Sequence, residues 1–86
     1  MMYLGKVYVS YKPSVFDPQG DVIKTSLHQL NFQGVESVTQ GKYFEIKLVA
    51  TNLTEATANL VKMAEELLIN PNTETYQYAI DEIEVL

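Results

Sequence analysis

From Tyr3 to Lys12 the chain alternates, with Val7, Val9 and Tyr11 on one side and Lys6, Tyr8, Ser10 and Lys12 on the other. Period two predicts a half-buried strand. Asp17-Pro18-Gln19-Gly20 then offers an N-cap carboxylate and a proline at the first helical position, where its missing N–H costs nothing. A helix is predicted from there, with Ile23, Leu27 and Leu30 forming a stripe that should face a sheet, and with its end before Gly34. Val35 to Thr39 and Lys42 to Val49 read as two β segments joined at Gln40-Gly41, either a hairpin or one long bent strand. In the second of these, Phe44, Ile46 and Leu48 oppose Tyr43, Glu45 and Lys47.

Asn52 and Glu55 have capping-box spacing, and Leu53, Ala56, Leu60, Met63 and Leu67 recur behind them at three and four residues, so a second helix is predicted with these positions in the core. Asn70-Pro71 should stop it. Tyr76, Tyr78 and Ile80 then alternate with Gln77, Ala79 and Asp81, and a bulge or strand end at Asp81-Glu82 would explain why Ile83 and Val85 fall on odd positions. The resulting order, β-α-β-β-α-β, is that of the ferredoxin-like plan: an α+β two-layer sandwich in which two helices cover one face of an antiparallel sheet. Residues 1–86 read as one domain.

Such a plan leaves the other sheet face bare, and Tyr8, Tyr43 and Val49 are assigned there, with one or both of Tyr76 and Tyr78. Six tyrosines in 86 residues suit a surface covered only on association, because tyrosine joins apolar area to a hydroxyl that stays satisfied when wet. Ordinary amphipathic surface is the plainer alternative. A chain this short buries only about 60 to 65% of its unfolded surface, so oligomerisation is a natural supplement and a homodimer or a dimer of dimers is expected.

Composition narrows the chemistry. With no cysteine, one histidine and no arginine, thiol, zinc-ribbon and arginine-held phosphate chemistries have no residues to work with. A formal net charge of −5 disfavours nucleic acid. No apolar run approaches the roughly 18 residues that span a bilayer, and the first residues lack a signal-peptide pattern, so a cytoplasmic location without membrane attachment is expected. His28 has no second histidine beside it. Glu65-Glu66 and Asp81-Glu82-Glu84 sit too close in sequence to converge on one ligand. The glycines form neither a dinucleotide fingerprint nor a phosphate loop. No catalytic, cofactor-binding or metal-ligating residue is therefore expected. Asp17, Pro18 and Gly20 read as a helix start, and Gly41-Lys42-Tyr43 as a hairpin tip or contact loop.

Taken in order, several segments resemble the PurS family, the small subunit of phosphoribosylformylglycinamidine synthase. They are Lys6-Val7-Tyr8-Val9; Lys12-Pro13-Ser14-Val15-Phe16-Asp17-Pro18-Gln19-Gly20, with an Asp-Pro-x-Gly helix start; Gly41-Lys42-Tyr43-Phe44-Glu45-Ile46; Ala64-Glu65-Glu66-Leu67-Leu68-Ile69-Asn70-Pro71; and Glu74-x-Tyr76-x-Tyr78. Tyr11 departs from the aliphatic residue expected before the lysine. The resemblance implies a non-catalytic subunit of purine biosynthesis that acts as a dimer, bridges a glutaminase subunit and an ATP-dependent synthetase subunit, and supports ammonia transfer between them. ATP and Mg would be used by the complex, and no cofactor is expected on this chain. The competing reading is a free-standing ferredoxin-like regulatory module that binds a small molecule.

Overall fold

The computed structural model describes residues 1–84. Strand β1 (Met2–Tyr11) is followed by helix α1 (Pro18–Gln29), strand β2 (Gly41–Val49), helix α2 (Leu53–Met63) and strand β3 (Glu74–Ile83). A π-helical turn, Ala64–Leu68, extends α2. The sheet is antiparallel in the order β2-β1-β3, so the chain has the α+β class that its pattern predicts.

The first strand is central, paired on both edges, and Tyr3, Val7 and Val9 are buried on the face that α2 covers. Their partners across β2 include Leu48 and Phe44, and across β3 Tyr78 and Tyr76. Asn52 caps α2 by accepting the Glu55 N–H at 2.9 Å. The helix can lie close because Gly5 faces it: a Cβ there would stand 2.7 Å from Leu60 Cδ1. Leu60, fully buried, anchors a cluster with Val7, Val9 and Ala64, flanked by Phe44, Ile46, Leu68, Ile69, Tyr76 and Ile80.

Several sequence expectations need correction. Leu67 is 82% exposed, not core, and Leu53 and Met63 of the same stripe are exposed as well. The Ile69 N–H reaches back five residues to the Ala64 carbonyl, and this wider turn rotates Leu67 outward while Leu68 and Ile69 take the inner positions. Segment 35–39, the second β segment of the predicted order, lies outside the sheet with no regular secondary structure. It packs against α1 instead: His28 Nε2 donates to the Val35 oxygen at 2.9 Å, and the Val38 oxygen lies where a Cβ of Gly20 would be. Gln40-Gly41 is accordingly no hairpin turn. Gly41 opens β2 opposite Ser10. Lastly, the β1–β3 ladder runs unbroken from Tyr11–Glu74 to Met2–Ile83, without a bulge at Asp81-Glu82. Ile83 simply lies on the open face with Met2, and Val85 lies outside the described residues.

Helix α1 ends earlier than Gly34. Asn31 adopts the left-handed conformation (φ 75°), and the Phe32 and Asn31 N–H groups return to the Leu27 and His28 carbonyls, closing the helix as a Schellman motif. The predicted stripe on α1 does not cover the sheet of its own chain. Among the described residues no α1 side chain enters either core cluster, and Gly20 alone in α1 is buried. Helix and return segment form an arm beyond the sheet end. The radius of gyration is 16.8 Å, against about 12 Å for a compact domain of this length, and the molecule measures 51 × 31 × 15 Å.

Candidate interaction surface

Alternation along β1 and β2 decides the open face. Tyr8 and Tyr43 are cross-strand partners there, with ring centroids 5.0 Å apart and planes at 34°, each about half exposed. Tyr43 donates its hydroxyl to Glu45 Oε2 at 2.6 Å. Donating that bond requires the neutral phenol and the nearby negative charge opposes phenolate, so the Tyr43 pKa is pushed up to about 12. Lys6 stands opposite Glu45, and Leu4 opposite Lys47, so charge and apolar area are interleaved around the tyrosine pair. Val49, 71% exposed, ends this face.

Tyr76 and Tyr78 belong to the other face, contrary to the assignment above. They share the parity of Ile80, which points at the core, and their rings lie 6.4 Å apart. Tyr76 packs against the cluster beneath the π-helical turn, where burial and then Glu65 raise its pKa. Tyr78 remains 45% exposed at the β3 edge. Lys42 lies on this side too, its ammonium 3.3 Å from the Glu74 carboxylate. The Glu74 carboxyl is held below its ordinary range by the Asn70 N–H and, after that, by Lys42. Tyr8, Gly41, Lys42, Tyr43, Tyr76 and Tyr78 are thus divided between two faces.

A further exposed apolar surface is one the sequence did not mark as exposed. Phe16, Val22, Ile23, Leu30 and Phe32, all on the arm, are between 38 and 70% exposed. Leu53, Met63 and Leu67 add apolar area on α2 and its π-helical extension. The available signal was the stripe itself, but a stripe reports that a helix has an apolar side, not which chain covers it.

Asp17-Pro18-Gln19-Gly20 sits at the root of the arm. Asp17 caps α1 as expected, with Oδ1 accepting the Gly20 N–H at 2.9 Å, while Oδ2 accepts the Gln40 N–H at 2.9 Å. A cleft of about 210 Å³ opens beside it, lined by Asp17, Gln40, Lys42 and Glu74 among others. Among the described residues, no three His, Asp or Glu side chains converge as metal ligands, and no helix is long and apolar enough to cross a membrane.

Residues 5–82 match the family described as PurS, phosphoribosylformylglycinamidine (FGAM) synthase. The phosphoribosylformylglycinamidine synthase subunit PurS of Bacillus subtilis is 38% identical over 82 residues, covering 95% of this chain and 96% of the relative. Among solved structures, the C2 crystal form of Bacillus subtilis PurS superposes with a TM-score of 0.82 at 38% identity, over 93% of this chain and 99% of that one. Thermus thermophilus PurS gives 0.86 at 34% identity, over 98% and 100%. A chain in the structure of PurLQS from Thermotoga maritima gives 0.86 at 29% identity, over 93% and 98%.

Proposed function

Since the chain belongs to the PurS family of phosphoribosylformylglycinamidine synthase, a small subunit of purine biosynthesis, we propose that it is the non-catalytic bridge of that complex. It joins a glutaminase subunit to an ATP-dependent synthetase subunit in the cytoplasm, and two copies act together as a homodimer or a dimer of dimers. ATP and Mg are used by the synthetase partner.

One observation carries this reading: the arm holds apolar side chains that its own chain does not cover, while the sheet offers a second, tyrosine-bearing face. A folded chain of marginal size gains burial by placing such surfaces against other subunits. The chemistry supplies the need for a bridge. Ammonia released into water at neutral pH is mostly protonated, and ammonium has no lone pair for attack, so nitrogen must pass between active sites by a protected route. A small domain that clamps two enzymes together can seal such a route without reacting itself.

The test compares nitrogen sources. The synthetase partner alone should still form the amidine with high ammonium at alkaline pH, while glutamine-supported turnover should collapse without this chain and return when it is added with the glutaminase. If glutamine-supported turnover by the two large partners is already complete, bridging is wrong. If ammonium-supported turnover also needs the chain, its role is to shape the synthetase site.

A further inference from the structure

The arm leaves the sheet after Tyr11 and returns at Gly41, so its direction depends on how its two limbs are tied at the root. One carboxylate ties both. Asp17 Oδ1 holds the Gly20 N–H at the start of α1, and Oδ2 holds the N–H of Gln40, 23 residues on and one residue before β2. Alongside, the missing Cβ of Gly20 lets the Val38 carbonyl approach, so the limbs meet backbone to backbone. Both amides favour the charged carboxylate, and its pKa is lowered, chiefly by Gln40 and then by Gly20.

Capping alone does not require this arrangement. Asn52 caps α2 with a neutral amide that meets a single N–H at 2.9 Å. At position 17 two donors approach two oxygens, and neither a serine nor an asparagine presents two carboxylate acceptors. An asparagine would turn its NH2 toward one of the donors.

We propose that Asp17 is a positioning residue: its two oxygens fix the pose of the arm relative to the sheet, and Gly20 is the seat on which the return limb closes. This rests on the reading of the arm as a contact element. With the tie cut, the arm pivots at its root, and its apolar residues meet the partner surface in a spread of poses. Assembly weakens while the chemistry of the partners is untouched.

The experiment uses the full chain and the assembled complex. Asp17→Ser keeps a good cap but loses the second acceptor. Backbone amide exchange should quicken at Gln40 by roughly ten- to hundredfold, the range set by a hydrogen bond to a charged acceptor, while Gly20 stays within about threefold of wild type. Gly20→Ala, which keeps the carboxylate but sets a methyl against the Val38 carbonyl and 3.0 Å from Asp17 Oδ2, should release the same Gln40 amide. In glutamine-supported turnover, Asp17→Ser should raise the half-saturating concentration of this chain and leave the plateau rate unchanged. Asn52→Ala, which removes an equivalent cap from α2, should do neither. The proposal is overturned if Gln40 stays protected in Asp17→Ser, if Asn52→Ala releases it equally, or if a released Gln40 leaves the half-saturating concentration unmoved. Should wild type itself add nothing to glutamine-supported turnover, the bridging reading fails, and Gln40 exchange alone then decides for or against the tie.

Discussion

Leu60 and Gly5 form a contact whose worth can be measured from both sides. Leu60 is fully buried, and Leu→Ala at such sites costs about 3 to 5 kcal/mol, transfer and cavity together. Gly5→Ala instead overfills the same space, because its new methyl would stand 2.7 and 2.8 Å from the two Leu60 methyls and 3.3 Å from Leu60 Cγ. Overpacking of this kind costs about 1 to 3 kcal/mol. If each change acted alone, the double variant would lose the sum. It should lose less, by about 1 to 2 kcal/mol, because the methyl added by Gly5→Ala enters the volume that Leu60→Ala vacates. Urea unfolding followed by far-UV circular dichroism at one fixed protein concentration gives all four corners of the cycle. Strict additivity would show that α2 does not rest on Gly5, and the placement of the helix would be wrong.

Leu67→Ala should shift the unfolding free energy by no more than about 0.5 kcal/mol, since the π-helical turn turns that side chain outward; a loss comparable to Leu60→Ala would mean an unbroken α-helix. Tyr43 should resist ionisation until about pH 12, and Glu45→Gln should bring its phenolate absorbance transition back toward the ordinary value near 10. The folded pKa being raised, this contact stabilises fully below pH ~10 and is lost as pH climbs through about 12. Glu74 has the opposite sign: its folded pKa is lowered, so its contribution is present above the unfolded value of about 4.3 and disappears as pH falls through the folded one. Glu74→Gln should therefore flatten the loss of stability on the acid side, and an unchanged acid slope would contradict the Asn70 and Lys42 contacts. Sedimentation at micromolar concentration should show a dimer or larger species, whereas a monomer would leave the apolar arm unexplained.

Period and capping were local properties, and the sequence alone determined them. Val7 and Val9 on one side of β1, Phe44, Ile46 and Leu48 on one side of β2, and the caps Asp17 and Asn52 all follow from side chains within a few residues of each other. So does the placement of Tyr8 and Tyr43 on the bare face, although their pairing was set by the register of β1 on β2. The family was equally legible, carried by short segments in order.

Tertiary structure decided what depends on neighbours distant in sequence. Leu67 and Leu68 are both leucines at the end of an apolar stripe, and only a turn with an i→i+5 bond chose which one points inward. Tyr76 and Tyr78 alternate just as Tyr8 does, yet parity with Ile80 sets them on the covered face. Val35 to Thr39 looks like a strand, but a strand needs a ladder, and this segment packs against α1 through His28 and the gap at Gly20 instead. The stripe on α1 fixed that the helix has something to bury. Where it is buried depends on surfaces outside its own hydrogen-bonding range, because apolar attraction is not directional and is indifferent to which chain supplies the cover.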